Sequence, residues 1–294
     1  MSAGVAVGPL HRHLRAEEDL LAAVVDGSVD QLGGPGRPLR AASRRHRDRR
    51  AGRTHVGSAL VTTLILLRHG RSSANVAGVL AGRTPGVELD EKGREQADKV
   101  VERLAGVPIA QIVCSPMLRC EQTVAPLAAD RGLTPVTEVD LAEVDYGSWT
   151  GGALKNLAKE PLWKVVQAHP SAAVFPDGEG LAAMQARAVA AIRSHDKRIA
   201  AEHGPQALWV ACSHGDVIKA VLADALASHL DNFQRIMVDT CSISVVHYTE
   251  TRPFVNRVND VGGDLSGLIP AKPKRRRKPA ARSSDAVVGG DTGA

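Results

Sequence analysis

Aromatic side chains are scarce: three Trp, two Tyr and three Phe serve 294 residues. Neither basic stretch of the chain interleaves them, so the stacking platforms used by single-stranded nucleic-acid binders are missing. Long apolar runs are absent as well, and no stretch approaches the roughly eighteen residues that a membrane-spanning helix needs. The apolar-leaning start from Val5 to Leu10 is broken by His11, Arg12, Glu17, Glu18 and Asp19. That order is not the charged-then-apolar pattern of a secretory leader. Cysteine is limited to Cys114, Cys120, Cys212 and Cys241, with no CxxC spacing among them. They read as small packing residues in a reducing, cytoplasmic setting, not as metal ligands.

The net charge of +5 is unevenly distributed. Residues 1–60 hold ten Lys/Arg against six Asp/Glu, a net of +4, and residues 271–294 hold seven against two, a net of +5. The stretch between, 61–270, holds twenty against twenty-four, a net of −4. Basic character therefore belongs to the ends, and a nucleic-acid role for the whole protein loses its main support. Charge runs such as Arg44–Arg53 and Lys272–Pro279 are expected to be solvated, at most making weak, salt-sensitive contacts. The first sixty residues, with Gly33-Gly34-Pro35-Gly36 and at most a short amphipathic helix around Ala16–Val25, have too little apolar content for a core. They are expected to be disordered, as is the tail 271–294, which leaves one domain over residues 61–270.

Within that domain, strands and helices alternate. Thr62–Leu67 is a β-branched, apolar run that predicts a buried strand. Asp90 predicts the cap of a helix to about Ala105, stopped by Gly106 and Pro108. Ile109–Cys114 predicts a strand, Ser115-Pro116 the start of a helix to about Asp130 that Gly132 ends, and Thr134–Val139 a further strand. A long helix is expected from about Gly180 to Glu202, then a strand at Leu208–Cys212, a helix at Asp216–Ser228, and strands at Ser242–Tyr248 and Pro253–Val258. This alternation predicts an α/β fold, a three-layer sandwich with a largely parallel central sheet flanked by helices. Ligands of such sheets bind at the carboxyl ends of the strands.

Three of those ends carry reactive residues. Arg68-His69-Gly70 follows the first strand, with a helix-starting Ser72-Ser73 behind it. Ser115-Pro116-Met117-Leu118-Arg119 follows the second, and Cys212-Ser213-His214-Gly215-Asp216 follows the strand at Leu208–Cys212. Any one Arg or His at a strand end is more often a cap or a surface residue. Together, two guanidinium forks and two imidazoles at one sheet edge, with no acidic metal ligands beside them, suit a tetrahedral phosphoryl group.

Here the chain resembles the histidine phosphatase (phosphoglycerate-mutase-like) superfamily. Leu67–Asn75 matches its RHGxSxxN signature, and Ser115–Thr123 matches SPxxRxxQT. Leu141–Gly151 matches the acid-bearing LxExxxGxWxG segment, and Cys212-Ser213-His214-Gly215 the closing histidine motif. The four occur in family order and span about Thr62 to Val258. The resemblance implies that His69 is the nucleophile and Glu143 the general acid and base. It also implies that Arg68, Arg119 and His214 bind phosphate with help from Asn75, without metal or cofactor, on a small phosphorylated substrate. Gly82 falls in a substrate-side loop of the family, and Arg83 beside it either reaches an acidic substrate or lies solvated. Should Glu143 fail as the acid, Asp145 and Asp216 are the next candidates.

Other residues are expected to be structural. Tyr146, Trp149 and Phe175 read as core. Pro176–Gly180 resembles the family's PxGES turn with Gly180 in place of Ser, and Asp177 or Glu179 is expected to cap the long helix. His11, His13, His46, His55, His169, His195, His203, His229 and His247 show no paired spacing and read as surface or tail residues. The family contains mutases too, in which an arginine follows the acid and a longer insertion precedes the last histidine. Here Val144 follows Glu143 and His214 lies 71 residues on, which favours hydrolysis over a phosphomutase. A catalytically silent binding module is disfavoured because the His, Arg and Glu set is intact. The substrate-choosing region between about Gly151 and Phe175 carries no readable code.

Overall fold

Alternation along a single strand generates the layers. Thr62–Arg68 (β1) places Leu64 and Leu66 on one face of a sheet and Ile65 and Leu67 on the other, all buried. A strand covered on both faces reads as a continuous apolar run, which is the pattern seen here. In the computed structural model, which describes residues 62–263, six strands lie in the order β3-β2-β4-β1-β5-β6. These are Ile109–Cys114 (β2), Val136–Thr137 (β3), Leu208–Ser213 (β4), Ile243–Tyr248 (β5) and Pro253–Asp260 (β6). β1, β2, β3 and β4 run parallel, with Leu64 opposite Trp209 and Ile112 opposite Val210. β5 and β6 add an antiparallel pair at one side.

Helices cover both faces, as the α/β three-layer expectation requires. Glu91–Arg103 (α2) and Leu118–Arg131 (α3) bury Val100, Val124 and Leu127 against Ile65, Leu67, Ile112 and Val210. Leu181–His203 (α6) and Gly215–Ala225 (α7) bury Met184, Ile192, Val217 and Val221 against Leu64, Leu66 and Trp209. Three short helices, Ser73–Ala77 (α1), Leu154–Leu157 (α4) and Pro161–Ala168 (α5), lie in the connections. Tyr146, Trp149 and Phe175 join the second cluster as core, with ring centroids 4.9 Å apart for Tyr146–Phe175 and 5.3 Å for Trp149–Phe175. Among the described residues no helix is long and apolar enough to cross a membrane.

Several local expectations are corrected. The strand expected at Thr134–Val139 shrinks to Val136–Thr137, and a 3₁₀ turn at Val139–Leu141 takes over. The helix after β2 starts at Leu118, because the Ser115 hydroxyl is bound to His214 and does not cap. Its end at Gly132, in the left-handed conformation at φ 63°, is as expected. The long helix α6 starts after Gly180 with no side-chain cap, since Glu179 turns to Asp145, Arg83 and Arg187. His195 is buried on α6, its Nε2 2.7 Å from Glu138 Oε2, and is not a surface residue. His247 is half-buried and bonds Thr63 Oγ1 at 3.0 Å, whereas His203 and His229 are exposed. The basic extension 1–60, its possible helix around Ala16–Val25, His11, His13, His46, His55 and the tail 271–294 lie outside the described residues.

One close backbone approach fixes the turn after β1. Asp90, the N-cap of α2, accepts from Gly93 N at 2.7 Å and from Arg71 Nε at 2.7 Å, while its own N–H donates to Arg71 O. The first turn of α2 thereby lies directly on residues 70–71. A Cβ added at Gly93 would stand 2.0 Å from Arg71 O, and one at Gly70 would stand 2.7 Å from Gly93 O. Overpacking against backbone cannot relax by rotamer change and costs roughly 3 kcal/mol. Gly93→Ala is therefore expected to lower the unfolding free energy by that amount, read as a lower urea midpoint at an unchanged m-value. A midpoint equal to wild type would show that the contact is not tight.

Candidate active site

The parallel register collects the reactive residues. Arg68 stands opposite Ser213 across β1 and β4, and Cys114 opposite Cys212 across β2 and β4. His69, Ser115 and His214 are therefore the next residues on three adjacent strands, and Arg119 follows in the first turn of α3. Gly70 N donates to Thr123 Oγ1 at 2.9 Å and Leu89 N to Gln122 Oε1 at 2.8 Å, so two residues of the Ser115–Thr123 motif hold the neighbouring loops. All five expected principals are buried: Arg68, His69, Arg119, Glu143 and His214 are at most 3% exposed.

Hydrogen bonding assigns the protons of both imidazoles. His69 Nδ1 lies 2.7 Å from Gly70 O. A carbonyl only accepts, so Nδ1 carries the hydrogen, and in the neutral ring that burial favours Nε2 keeps a bare lone pair. His214 Nδ1 lies 3.1 Å from Arg119 Nη2, which only donates, so Nδ1 accepts and Nε2 donates to Ser115 Oγ at 2.7 Å. The His214 ring is thus neutral, and the centroids of the two rings are 5.2 Å apart. Burial holds both well below the ordinary histidine range, and the charges of Arg119 and Arg68 push the same way.

The two guanidiniums are held by carbonyls. Arg68 Nη1 donates to Val238 O at 2.7 Å, and Arg119 Nη2 donates to Gly82 O at 2.8 Å. Arg119 Nη1 is buried and makes no hydrogen bond among the described residues, so it keeps a donor for an oxyanion. Gly82 supplies a backbone acceptor at φ +51°, where a Cβ would press on Thr150 and Tyr146. Asn75 closes a capping box with Ser72: its Oδ1 accepts from Ser72 N and Oγ, which leaves Nδ2 for any phosphate contact. Arg83 is not a freely solvated loop residue. Its Nε donates to Glu143 O at 2.9 Å and its Nη2 to Glu179 Oε1 at 3.0 Å.

A model of the histidine phosphatase superfamily (branch 1) matches residues 64–261. This chain belongs to that superfamily. Among curated proteins it is 28% identical over 199 residues to phosphoserine phosphatase 1 of Hydrogenobacter thermophilus, covering 67% of this chain and 91% of that protein. It is 29% identical over 188 residues to a Yersinia pestis protein named probable phosphoglycerate mutase, covering 63% of this chain and 85% of the relative. Among solved structures it superposes on Bacillus stearothermophilus YhfR with a TM-score of 0.62 at 25% identity, covering 68% of this chain and 97% of that one.

Glu143 is the acidic group of the site. Its Oε1 accepts from Val144 N at 2.9 Å, and its Oε2 lies 3.9 Å from His214 Nδ1. Because that imidazole is neutral, the approach is not an ion pair. Burial pushes the Glu143 carboxyl up to about 7, and the charge of Asp216 adds to it against the pull of Arg119 and Arg68. Asp216, read from the sequence only as a fallback acid, is fully buried and accepts from Tyr146 Oη at 2.9 Å and Lys219 Nζ at 3.4 Å. The residues that sequence reasoning missed are Ser115, inside a quoted motif, and Arg187 with Glu179 on and before α6. The sequence offered Glu179 only as a cap of the long helix.

An isotope-edited infrared titration checks the electrostatics. A protonated glutamic acid band, absent in Glu143→Gln, is expected to disappear with a midpoint near the value of about 7. Asp216→Asn removes the neighbouring negative charge, so the midpoint is expected to move to lower pH. An unmoved midpoint would show that burial alone sets it.

Proposed function

We propose that this chain hydrolyses phosphomonoesters through a phosphohistidine on His69. The observation that carries the reading is the bare Nε2 of a neutral His69, buried between Arg68 and Arg119 and accompanied by a carboxyl that holds its proton near neutrality. His69 Nε2 attacks phosphorus and forms the P–N bond as the ester P–O bond breaks. The leaving oxygen takes the Glu143 proton, a step that contributes about 10²–10⁴-fold for a poor leaving group. The Glu143 carboxylate then accepts a proton from water, the water oxygen bonds to phosphorus, and the P–N bond breaks to free His69 and phosphate. Arg68 and Arg119 face the oxygens that carry charge in both steps, with His214 beside them. Those cations supply the charge that a metal or cofactor would otherwise bring, so the reaction needs neither.

The substrate is proposed to be a small phosphorylated molecule, a reading supported by the phosphoserine phosphatase named among the relatives. A phosphomutase activity is the second reading, favoured by the mutase name of another relative. The catalytic domain is proposed to span residues 61–270. A cytoplasmic setting is supported by four cysteines that are free and buried.

His69→Ala is expected to abolish phosphate release, while EDTA leaves the wild-type rate unchanged. A rate lost in EDTA and restored by Mg²⁺ would overturn the mechanism. With 3-phosphoglycerate and 2,3-bisphosphoglycerate supplied, inorganic phosphate should form; efficient appearance of 2-phosphoglycerate would promote the mutase reading. Activity is expected to peak on the acid side of neutral, because His69 stays neutral there and Glu143 loses its proton around pH 7. A chain cut to residues 61–270 is expected to retain full activity, and an insoluble or inactive product would show that the domain boundaries are wrong.

A further inference from the structure

The carbonyls around Glu143 have an unusual set of partners. The segment leading to Glu143 is a 3₁₀ turn at Val139–Leu141 and then irregular chain, so neither the sheet nor a helix fixes it. Its four consecutive carbonyls are instead bound by side chains. Asp140 O and Ala142 O accept from Arg187 Nη1 at 2.6 and 2.9 Å, and Leu141 O accepts from Ser213 Oγ at 2.8 Å. Glu143 O accepts from Arg187 Nη2 at 3.2 Å and from Arg83 Nε at 2.9 Å. Arg187 completes its donors on Glu179, through Nε to Oε2 at 3.0 Å and Nη2 to Oε1 at 2.6 Å.

A guanidinium has five N–H groups in a fixed fork. In Arg187 all five are engaged, three on the backbone that bears Glu143 and two on one carboxylate. Glu179 is in turn fixed by Asp145 N at 2.9 Å and Arg83 Nη2 at 3.0 Å. Burial raises the Glu179 carboxyl, but the hydrogen bonds from Arg187 and Asp145 outweigh it and keep the group below its ordinary range, hence ionised. The cluster reaches the Glu143 backbone, while the Glu143 carboxyl itself lies 3.9 Å from His214 on the other side. No atom of Arg187 is required by the chemistry. Its bonds determine where the acid stands.

We propose that Arg187, locked by Glu179, is a positioning residue for proton donation by Glu143. This inference rests on the reading of Glu143 as general acid. The pair clamps the loop from α6, so that the carboxyl meets the leaving oxygen at a defined distance, and misplacement by about 1 Å reduces proton transfer by roughly 10²-fold. Lysine cannot replace the fork, because an ammonium has three donors and no plane.

The test compares kcat for an alkyl phosphate, whose leaving oxygen needs a proton, with kcat for an aryl phosphate, whose leaving group departs with little help. Arg187→Ala is expected to reduce the alkyl rate by about 10²-fold and the aryl rate by less than about 5-fold, with Arg187→Lys restoring little. Glu179→Gln, which keeps volume and leaves the fork without its anion, should show the same split and serves should Arg187→Ala not fold. In a Glu143→Gln background, Arg187→Ala is expected to add no further alkyl loss. Equal losses on the two substrates, or an additive loss in the double variant, would overturn the positioning role. If Glu143→Gln itself showed no alkyl–aryl difference, the assignment of the acid would fall and this inference with it.

Discussion

Two guanidinium groups buried at the carboxyl edge of a parallel sheet dictate the chemistry of everything near them. A cation in such a place needs oxygen acceptors, which the carbonyls of Val238 and Gly82 provide. Its field then works on its neighbours. His69 and His214, already desolvated, are denied a proton, and an imidazole denied a proton retains a nucleophilic lone pair. The same field would strip the proton from Glu143, were it not for burial and for Asp216, held by Tyr146 and Lys219 deeper in the fold. The site thus balances two fixed cations against two buried carboxyls, and the balance keeps the carboxyl near Arg119 titrating around neutrality.

Much of this was legible in the sequence, for identifiable reasons. β1, β2 and β4 are covered on both faces, so their composition alone marks them as buried strands. Asp90 and Gly132 are local signals whose geometry depends on a few adjacent residues. The reactive residues sit within a few positions of strand ends, where chain order and sheet order coincide, and the four motifs name them outright. What failed to show was non-local. Ser115 looked like a helix cap because nothing in its surroundings announces His214, 99 residues away, as its partner. Glu179 looked like a cap for the same reason. His195 looked exposed because its polarity was weighed without the carboxylate of Glu138, which lies 57 positions earlier and binds it at 2.7 Å.

The supports of the proposed nucleophile and the proposed acid differ in kind. His69 is carried by a ladder of backbone hydrogen bonds between β1, β4 and β5, reinforced by the close seating of α2 on the turn that follows. Glu143 hangs on side chains from α6 and from the loop at Arg83. A ladder is redundant, since losing one rung leaves the others. The clamp rests on few members, Arg187 with Glu179 and the supporting bonds of Arg83 and Ser213.

The shortness of β3 has a consequence of another sort. Sheet edges are where polypeptides recruit strangers, because each unpaired N–H and C=O is an invitation to a further strand. Beyond Val136–Thr137 the chain turns at once into the 3₁₀ segment Val139–Leu141, which turns its backbone away from the strand direction. Two residues present only a short edge to a newcomer. On that flank the sheet ends in a strand of two residues, with Glu138 and Asp140 carrying charge directly behind it.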